Sequence, residues 1–282
     1  MARVKIVTDS TSDIPTQLAE ELGIAVVPLN VHFGDRVFRD GIDLTNDQFY
    51  DMLANSAELP KTSQPSAGDF DNVYSQFCEE EQSIASIHIS SKLSGTLNSA
   101  LVARENFKLR CHIDLFDSLS TSMGLGLIAI NAARAANDGA DRAEIAELVR
   151  KLINNVHIYF CVDTLEYLQK GGRIGRAQAL LGSLLNIKPV LKLEEGEVHP
   201  VERVRTRSKA LDRLVEFVEL FPHIEEVAIL HSTSPDDVNE LVERVNPFFP
   251  REKVLLGQYG PVIGTHVGPG GICVVVSQGP EA

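Results

Sequence analysis

The chain lacks the local signatures of most common catalytic chemistries. Its four cysteines, Cys78, Cys111, Cys161 and Cys273, include no C-x-x-C pair. Three sit in apolar surroundings, which reads as reduced structural thiols and argues against a zinc site or a disulfide frame. The eight histidines show neither H-x-x-x-H nor H-E-x-x-H spacing, so metal catalysis is not expected. There is no G-x-x-x-x-G-K-[ST] loop to hold ATP and no G-x-S-x-G elbow of the α/β-hydrolase kind. Basic residues are outnumbered, 26 Lys and Arg against 39 Asp and Glu for a net charge of -13, which argues against a general nucleic-acid binder. No apolar run is long enough to span a bilayer. Met1 leads at once into a β-branched strand and leaves no room for a signal peptide, so a cytoplasmic location is expected.

What is present suits a folded α/β protein. The 282 residues are 44% hydrophobic and 23% charged, enough for one large or two ordinary domains. In the first half, strand patterns at 4–8, 24–33, 84–89 and 112–116 alternate with helical ones at 15–22, 45–53, 69–80, 96–107 and 122–136. Such alternation predicts a mostly parallel sheet flanked by helices. Asp13 and Gly23 are placed to cap the first helix, and Thr45 with Gln48 forms a capping-box pattern. The second half mixes helices, one of them around 178–185, with a hairpin at 189–193 and 198–204 turned near Glu195-Gly196, which suggests an α+β unit. The expected domains are 1–157, α/β, and 158–282, α+β.

Four stretches end apolar runs or loops in small hydroxyl residues and acids: Asp9-Ser10-Thr11-Ser12-Asp13, Thr62-Ser63, Ser94-Gly95-Thr96 and Asp117-Ser118. Any single one of them reads better as a turn or helix cap than as a site. Three follow strands directly, and in open α/β sheets ligands bind beyond the carboxyl ends of the strands, so together they predict an anion site. His266, set in Gly264-Thr265-His266-Val267-Gly268-Pro269-Gly270-Gly271, is the histidine best placed to donate to that anion. Gly124-x-Gly126-x-x-Ala129 imitates a dinucleotide fingerprint, but Ser118 to Met123 separate it from the preceding strand, and close helix packing is the better reading. Residues 170–213 hold ten Lys or Arg against five acids, which suggests either a docking face or an ordinary solvated surface.

Taken in order, these motifs resemble the DegV family of bacterial fatty-acid-binding proteins. The matching stretches are Val7 to Asp13, Asp40-Gly41, Lys61-Thr62-Ser63-Gln64-Pro65-Ser66, Ile89 to Thr96, Asp117-Ser118, Leu165 to Ile174 with its Gly171-Gly172-Arg173-Ile174, and Gly264 to Gly270. The resemblance implies a two-domain DegV-like architecture with a long-chain fatty acid buried between the domains and no other cofactor. It assigns the carboxylate to Thr62, Ser94 and His266, with the Gly95 N–H nearby. It also implies a non-enzymatic carrier that presents the acid to a separate ATP-dependent fatty-acid kinase subunit, whose acyl phosphate enters phospholipid synthesis. Arg173 is then expected near the kinase interface, with Arg203 and Arg205 extending that surface and transient contact with a membrane surface. Two rivals stay open: a hydrolase or phosphotransferase built on Ser94, His266 and Asp9, and a lipid-sensing regulatory protein.

Overall fold

The structure, a computed structural model, describes residues 4–78, 83–182 and 187–279. The chain opens with β1 (Val4–Asp9), a 3₁₀ turn at Ser10–Ser12, α1 (Thr16–Leu22), β2 (Ala25–Val27), β3 (Asn30–Phe33), β4 (Arg36–Arg39), α2 (Asn46–Asn55), β5 (Lys61–Ser63) and α3 (Ala67–Cys78). It continues through β6 (Ser83–His88), α4 (Thr96–Arg104), β7 (Ile113–Asp117), α5 (Ser122–Asn137) and α6 (Arg142–Asn155). Then come β8 (Val156–Cys161), α7 (Glu166–Lys170), a 3₁₀ turn at Gly175–Leu180, β9 (Lys188–Glu194), β10 (Glu197–Val204) and α8 (Arg207–Glu219). The last elements are β11 (Ile224–His231), α9 (Pro235–Val245), β12 (Leu255–Gln258), α10 (Pro261–Val267) and β13 (Ile272–Gln278).

Three sheets result. The first is wholly parallel, in the order β2-β1-β6-β7. The second is a mixed six-stranded sheet, β10-β9-β8-β13-β11-β12, in which only β11 and β12 run parallel. The third is a small antiparallel sheet, β4-β3-β5. Helix α5 lies between the two large sheets, packing on β1 and β6 of one and on β8 and β13 of the other. Its Leu125, Leu127, Ile128 and Ile130 are wholly buried, each worth roughly 1.5–3 kcal/mol. Gly124 and Gly126 make the fit possible: a Cβ at Gly124 would overlap Ser120 and Ile158, and one at Gly126 would meet the Ser12 carbonyl at 2.6 Å. These glycines therefore serve helix packing. Asn131 and Arg134 reach across to Glu226 of β11, the latter at 2.6 Å. No helix among the described residues is long and apolar enough to cross a membrane.

The structure departs from the sequence expectations at definite points. The apolar run 24–33 divides into β2 and β3, which join different sheets. Pro28 stands between them, and without an N–H it cannot continue a ladder. Asp13 does not cap α1, whose N-terminal position is Pro15 with no side-chain cap. Its carboxylate instead accepts from Ser122 Oγ at 2.5 Å and from the Gly260 N–H at 3.0 Å. Cys78 and Cys111 are joined in a disulfide with Cα atoms 5.2 Å apart, not free thiols. The packing of α3 on α4 brings together two residues whose separation of 33 positions gave no hint of pairing. Part of the helical stretch expected at 178–185 lies outside the described residues, and its start is a 3₁₀ turn. The capping box of α2 and the Gly23 cap of α1, at φ 67°, form as the sequence suggests.

Candidate functional site

Because the first sheet is parallel, β1, β6 and β7 deliver their carboxyl ends to one edge. Asp9 fastens that edge: Oδ2 accepts from the Ile89 N–H at 3.0 Å, and Oδ1 accepts from the Thr11 N–H at 3.1 Å. The same Oδ2 lies 3.0 Å from His88 Nδ1. Asp117 Oδ2 accepts from the Ser91 hydroxyl at 2.5 Å. The loop 90–95 is thereby held from both flanks. The turn between β9 and β10 docks on it, with Ser90 Oγ donating to the Gly196 carbonyl at 2.7 Å.

Beside this edge lies a cavity of about 320 Å³, within the roughly 300–1,000 Å³ of small-molecule sites. Ile158 and Phe160 of β8 and Leu193 of β9 line it together with Leu29, Ile89 and Leu93, which lie in the loops that follow β2 and β6. Against this apolar wall stand Thr62, Ser94, Arg173 and His266. Their contacts connect them. Thr62 Oγ1 and His266 Nε2 are 2.8 Å apart. Arg173 donates from Nε to the Leu93 carbonyl at 3.0 Å, next to Ser94, and from Nη1 to the Gly171 carbonyl at 2.7 Å. Gly171 in turn lies against the His266 ring, where a Cβ would overlap Nδ1. Residues from β5, the 90–95 loop, the segment after α7 and α10 thus converge.

The electrostatics of this end follow from burial. Desolvation, with the Arg173 charge adding to it, pushes the His266 imidazole down to about 4. The ring is therefore neutral near pH 7. Its Nδ1 is buried without a partner. An unpartnered lone pair there costs less than an unpartnered N–H, which favours the Nε2–H tautomer, donating to Thr62 Oγ1. The Thr62 proton is then free to point into the cavity. Ser94 Oγ pairs with Thr96 Oγ1 at 2.9 Å, and either can donate onward. A cluster of neutral donors with one guanidinium beside an apolar slot can hold an anionic head on a greasy body.

The structure places Thr62, Ser94 and His266 on the lining of one cavity. Gly95 stands next to Ser94, and a Cβ there would overlap the Gln64 amide. Arg173, assigned by resemblance to a docking surface, lines the cavity. Arg203 is exposed and donates to the Ala179 carbonyl at 3.0 Å, and Arg205 lines a separate surface groove. Much of the basic stretch is neutralised, because Arg176, Lys188, Lys192, Arg207 and Arg213 each pair with an acid. The hydrolase arrangement does not assemble. Ser94 contacts Thr96, His266 contacts Thr62, and the Asp9 carboxylate faces His88. A triad-like chain does exist, Asp9–His88–Ser86–Tyr74, with Ser86 Oγ 2.7 Å from His88 Nε2 and 2.8 Å from the Tyr74 hydroxyl. All four side chains are wholly buried, so it ties β1, β6 and α3 together without access to substrate. Sequence reasoning missed α10 as a helix and Tyr259 and Thr121 as cavity residues. The Gly260-Pro261 pair, with Pro at the first helical position, is the signal that locates α10.

Known proteins match this chain along almost its full length. The family model described as "Uncharacterised protein, DegV family" matches residues 3–278. A DegV domain-containing protein of Clostridium perfringens is 36% identical over 271 residues, covering 94% of this chain and 95% of the relative. A solved DegV family protein of Thermus thermophilus, described for its fatty acid binding, superimposes with a TM-score of 0.91 at 36% identity, covering 98% of this chain and 99% of that one. DegV of Bacillus subtilis, described as a fatty acid binding protein, does so with a TM-score of 0.87 at 32% identity over 99% and 100% of the two chains.

Proposed function

The chain belongs to the DegV family, and from that premise we propose that its cavity binds a long-chain fatty acid, the acyl chain against the apolar walls and the carboxylate among Thr62, Ser94, the Gly95 N–H, His266 and Arg173. The observation that carries this reading is the Thr62–His266 contact, 2.8 Å across 204 residues of sequence, set in the wall of a cavity otherwise lined mostly by apolar side chains. The physics agrees. Burying a methylene is worth about 0.8 kcal/mol, so an acyl chain of about fifteen carbons gains on the order of 12 kcal/mol gross. Lost motion of ligand and protein removes several kcal/mol of that. The tail supplies affinity and the head supplies orientation, since a carboxylate left unpartnered there would be costly.

On this reading the protein makes and breaks no bonds of its own. It holds the carboxylate for a separate ATP-dependent kinase, which forms the acyl phosphate used in phospholipid synthesis. Arg203 and Arg205 form the docking face, supported by their exposure and by the Arg203 hydrogen bond going to a backbone carbonyl, that of Ala179. Arg173 belongs to the carboxylate end and bears on docking only through the bound acid.

The experiment is mass spectrometry of material released when the purified protein is denatured, followed by uptake of added fatty acid by the emptied protein. The proposal expects a stoichiometric fatty acid and saturable uptake. Finding neither overturns it. Double substitution Arg203→Ala with Arg205→Ala is expected to lower acyl-phosphate formation by the kinase while leaving uptake intact.

A further inference from the structure

The Asp9 to Asp13 and Asp40-Gly41 stretches stand apart from the lipid cavity. They meet in a different groove, of about 490 Å³, walled by Ile14, Ile24, Val26 and Ile42 and floored by Ser12, Asp13 and Asp40. The Asp13–Ser122 hydrogen bond separates the two spaces, since Ser122 lines the cavity and Asp13 the groove. Two features of the floor call for a ligand, and a third brings the acids together. Asp40 is 4% exposed, yet its Oδ2 has no hydrogen-bond partner. Ser12 is 1% exposed, and its hydroxyl is also unpartnered. Both carboxyl groups lie close to the Gly260 backbone: a Cβ on that residue would stand 3.0 Å from Asp13 Oδ1, 3.4 Å from Asp40 Oδ1 and 3.8 Å from Asp40 Oδ2. Asp13 accepts from Ser122 and the Gly260 N–H, and Asp40 from Ser10 and the Val262 N–H, which leaves Asp40 Oδ2 as the acceptor without a donor.

We propose that this groove is a second ligand site, separate from the lipid cavity, which takes a primary ammonium on a short apolar body, the ammonium donating to Asp40, Asp13 and Ser12. Three acceptor groups match the three N–H donors of an ammonium, whereas a quaternary amine has none to offer. The apolar walls match an alkyl body. No group of three or more His, Cys, Asp or Glu among the described residues is arranged to hold a metal ion, and the groove is far larger than a bare ion needs. Burial raises Asp13 to about 8 against its hydrogen bonds from Ser122 and Gly260, with the Asp40 and Asp9 charges adding to the rise, and burial raises Asp40 to about 7 against hydrogen bonds from Ser10 and Val262, with the Asp9 charge adding to it. A cation between them relieves both the desolvation and the repulsion.

The site is tested by titrating the full chain with n-butylammonium chloride at constant ionic strength and following backbone amide resonances. Tetramethylammonium chloride and n-butanol serve as comparison probes. The proposal predicts saturable shifts centred on Ser12, Asp40 and Gly260, with both comparison probes at least about tenfold weaker. Asp40→Asn and, separately, Gly260→Ala are expected to weaken butylammonium by a similar factor. Absence of saturable shifts, shifts scattered over the acidic surface, or equal binding of n-butanol overturns it. Should either variant fail to fold, the three probes on the unaltered protein decide alone. Fatty-acid uptake measured in parallel distinguishes a failure at this groove from a failure at the cavity.

Discussion

Gly171 lies so close to the imidazole of His266 that a methyl group on its Cα would overlap Nδ1. Its backbone is ordinary, at φ -74° and ψ -11°, so alanine is allowed there on conformational grounds. What the glycine provides is room. Its absent side chain lets the end of α7 close over the ring and holds the ring toward Thr62. Gly171→Ala is expected to displace His266 and weaken fatty-acid binding by about tenfold or more, with thermal stability changed far less. Calorimetric titration beside a melting curve checks this.

Thr62 offers a finer test. Thr62→Val keeps the shape and removes the hydroxyl, leaving His266 Nε2 and one ligand oxygen short of a partner. Unmet buried polar groups cost about 1–3 kcal/mol, so affinity should fall by roughly tenfold to a hundredfold. Thr62→Ser should restore most of it. Equal binding by all three forms would contradict the assignment.

Arg173 and the exposed arginines should separate cleanly. Arg173 lines the cavity, so Arg173→Gln is expected to lower affinity for the acid by about tenfold while leaving affinity for its methyl ester nearly unchanged. Arg203→Ala should alter neither, because its side chain is exposed, outside the cavity lining, and donates to the Ala179 carbonyl.

The pH dependence of stability has a worked sign. Asp13 stands at about 8 in the folded chain against an ordinary 3.8. The folded state therefore holds a proton that the unfolded state has released between those values. This contribution to stability is fully present below 3.8 and is lost as pH rises to about 8. Asp40, raised to about 7, acts in the same direction. His266 acts oppositely: lowered to about 4 from 6.5, it favours folding above 6.5 and costs stability as pH falls toward 4. Urea midpoints measured without amine should lose less with rising pH between 3.8 and about 8 in Asp13→Asn, and less with falling pH between 6.5 and about 4 in His266→Gln, than in the unaltered chain.

Local chemistry made much of this molecule legible. The Thr45–Gln48 capping box, the Gly23 cap and the Glu195-Gly196 turn each rest on residues a few positions apart, and each formed. The alternation of strand and helix patterns foretold the parallel sheet, and that sheet put the Ser90 loop beside Asp9. What stayed hidden depends on distant partners. Asp13 binds Gly260, 247 residues away, so its cap-like position misled. Arg173 points inward because Leu93 and Gly171 offer carbonyls, which no spacing rule records. The Cys78–Cys111 bond follows from helix packing, and α10 hides behind a Gly-rich composition that depresses helix propensity.

The polar end of the cavity is proposed to hold a carboxylate. Carbon-13 resonance spectroscopy of carboxyl-labelled oleate, added to the emptied protein, observes that group itself. The account predicts one bound signal that stays ionised at pH values where free acid protonates, and that shifts or broadens in Thr62→Val and His266→Gln. A bound signal that titrates like free acid and ignores both substitutions would place the head group elsewhere and contradict the account.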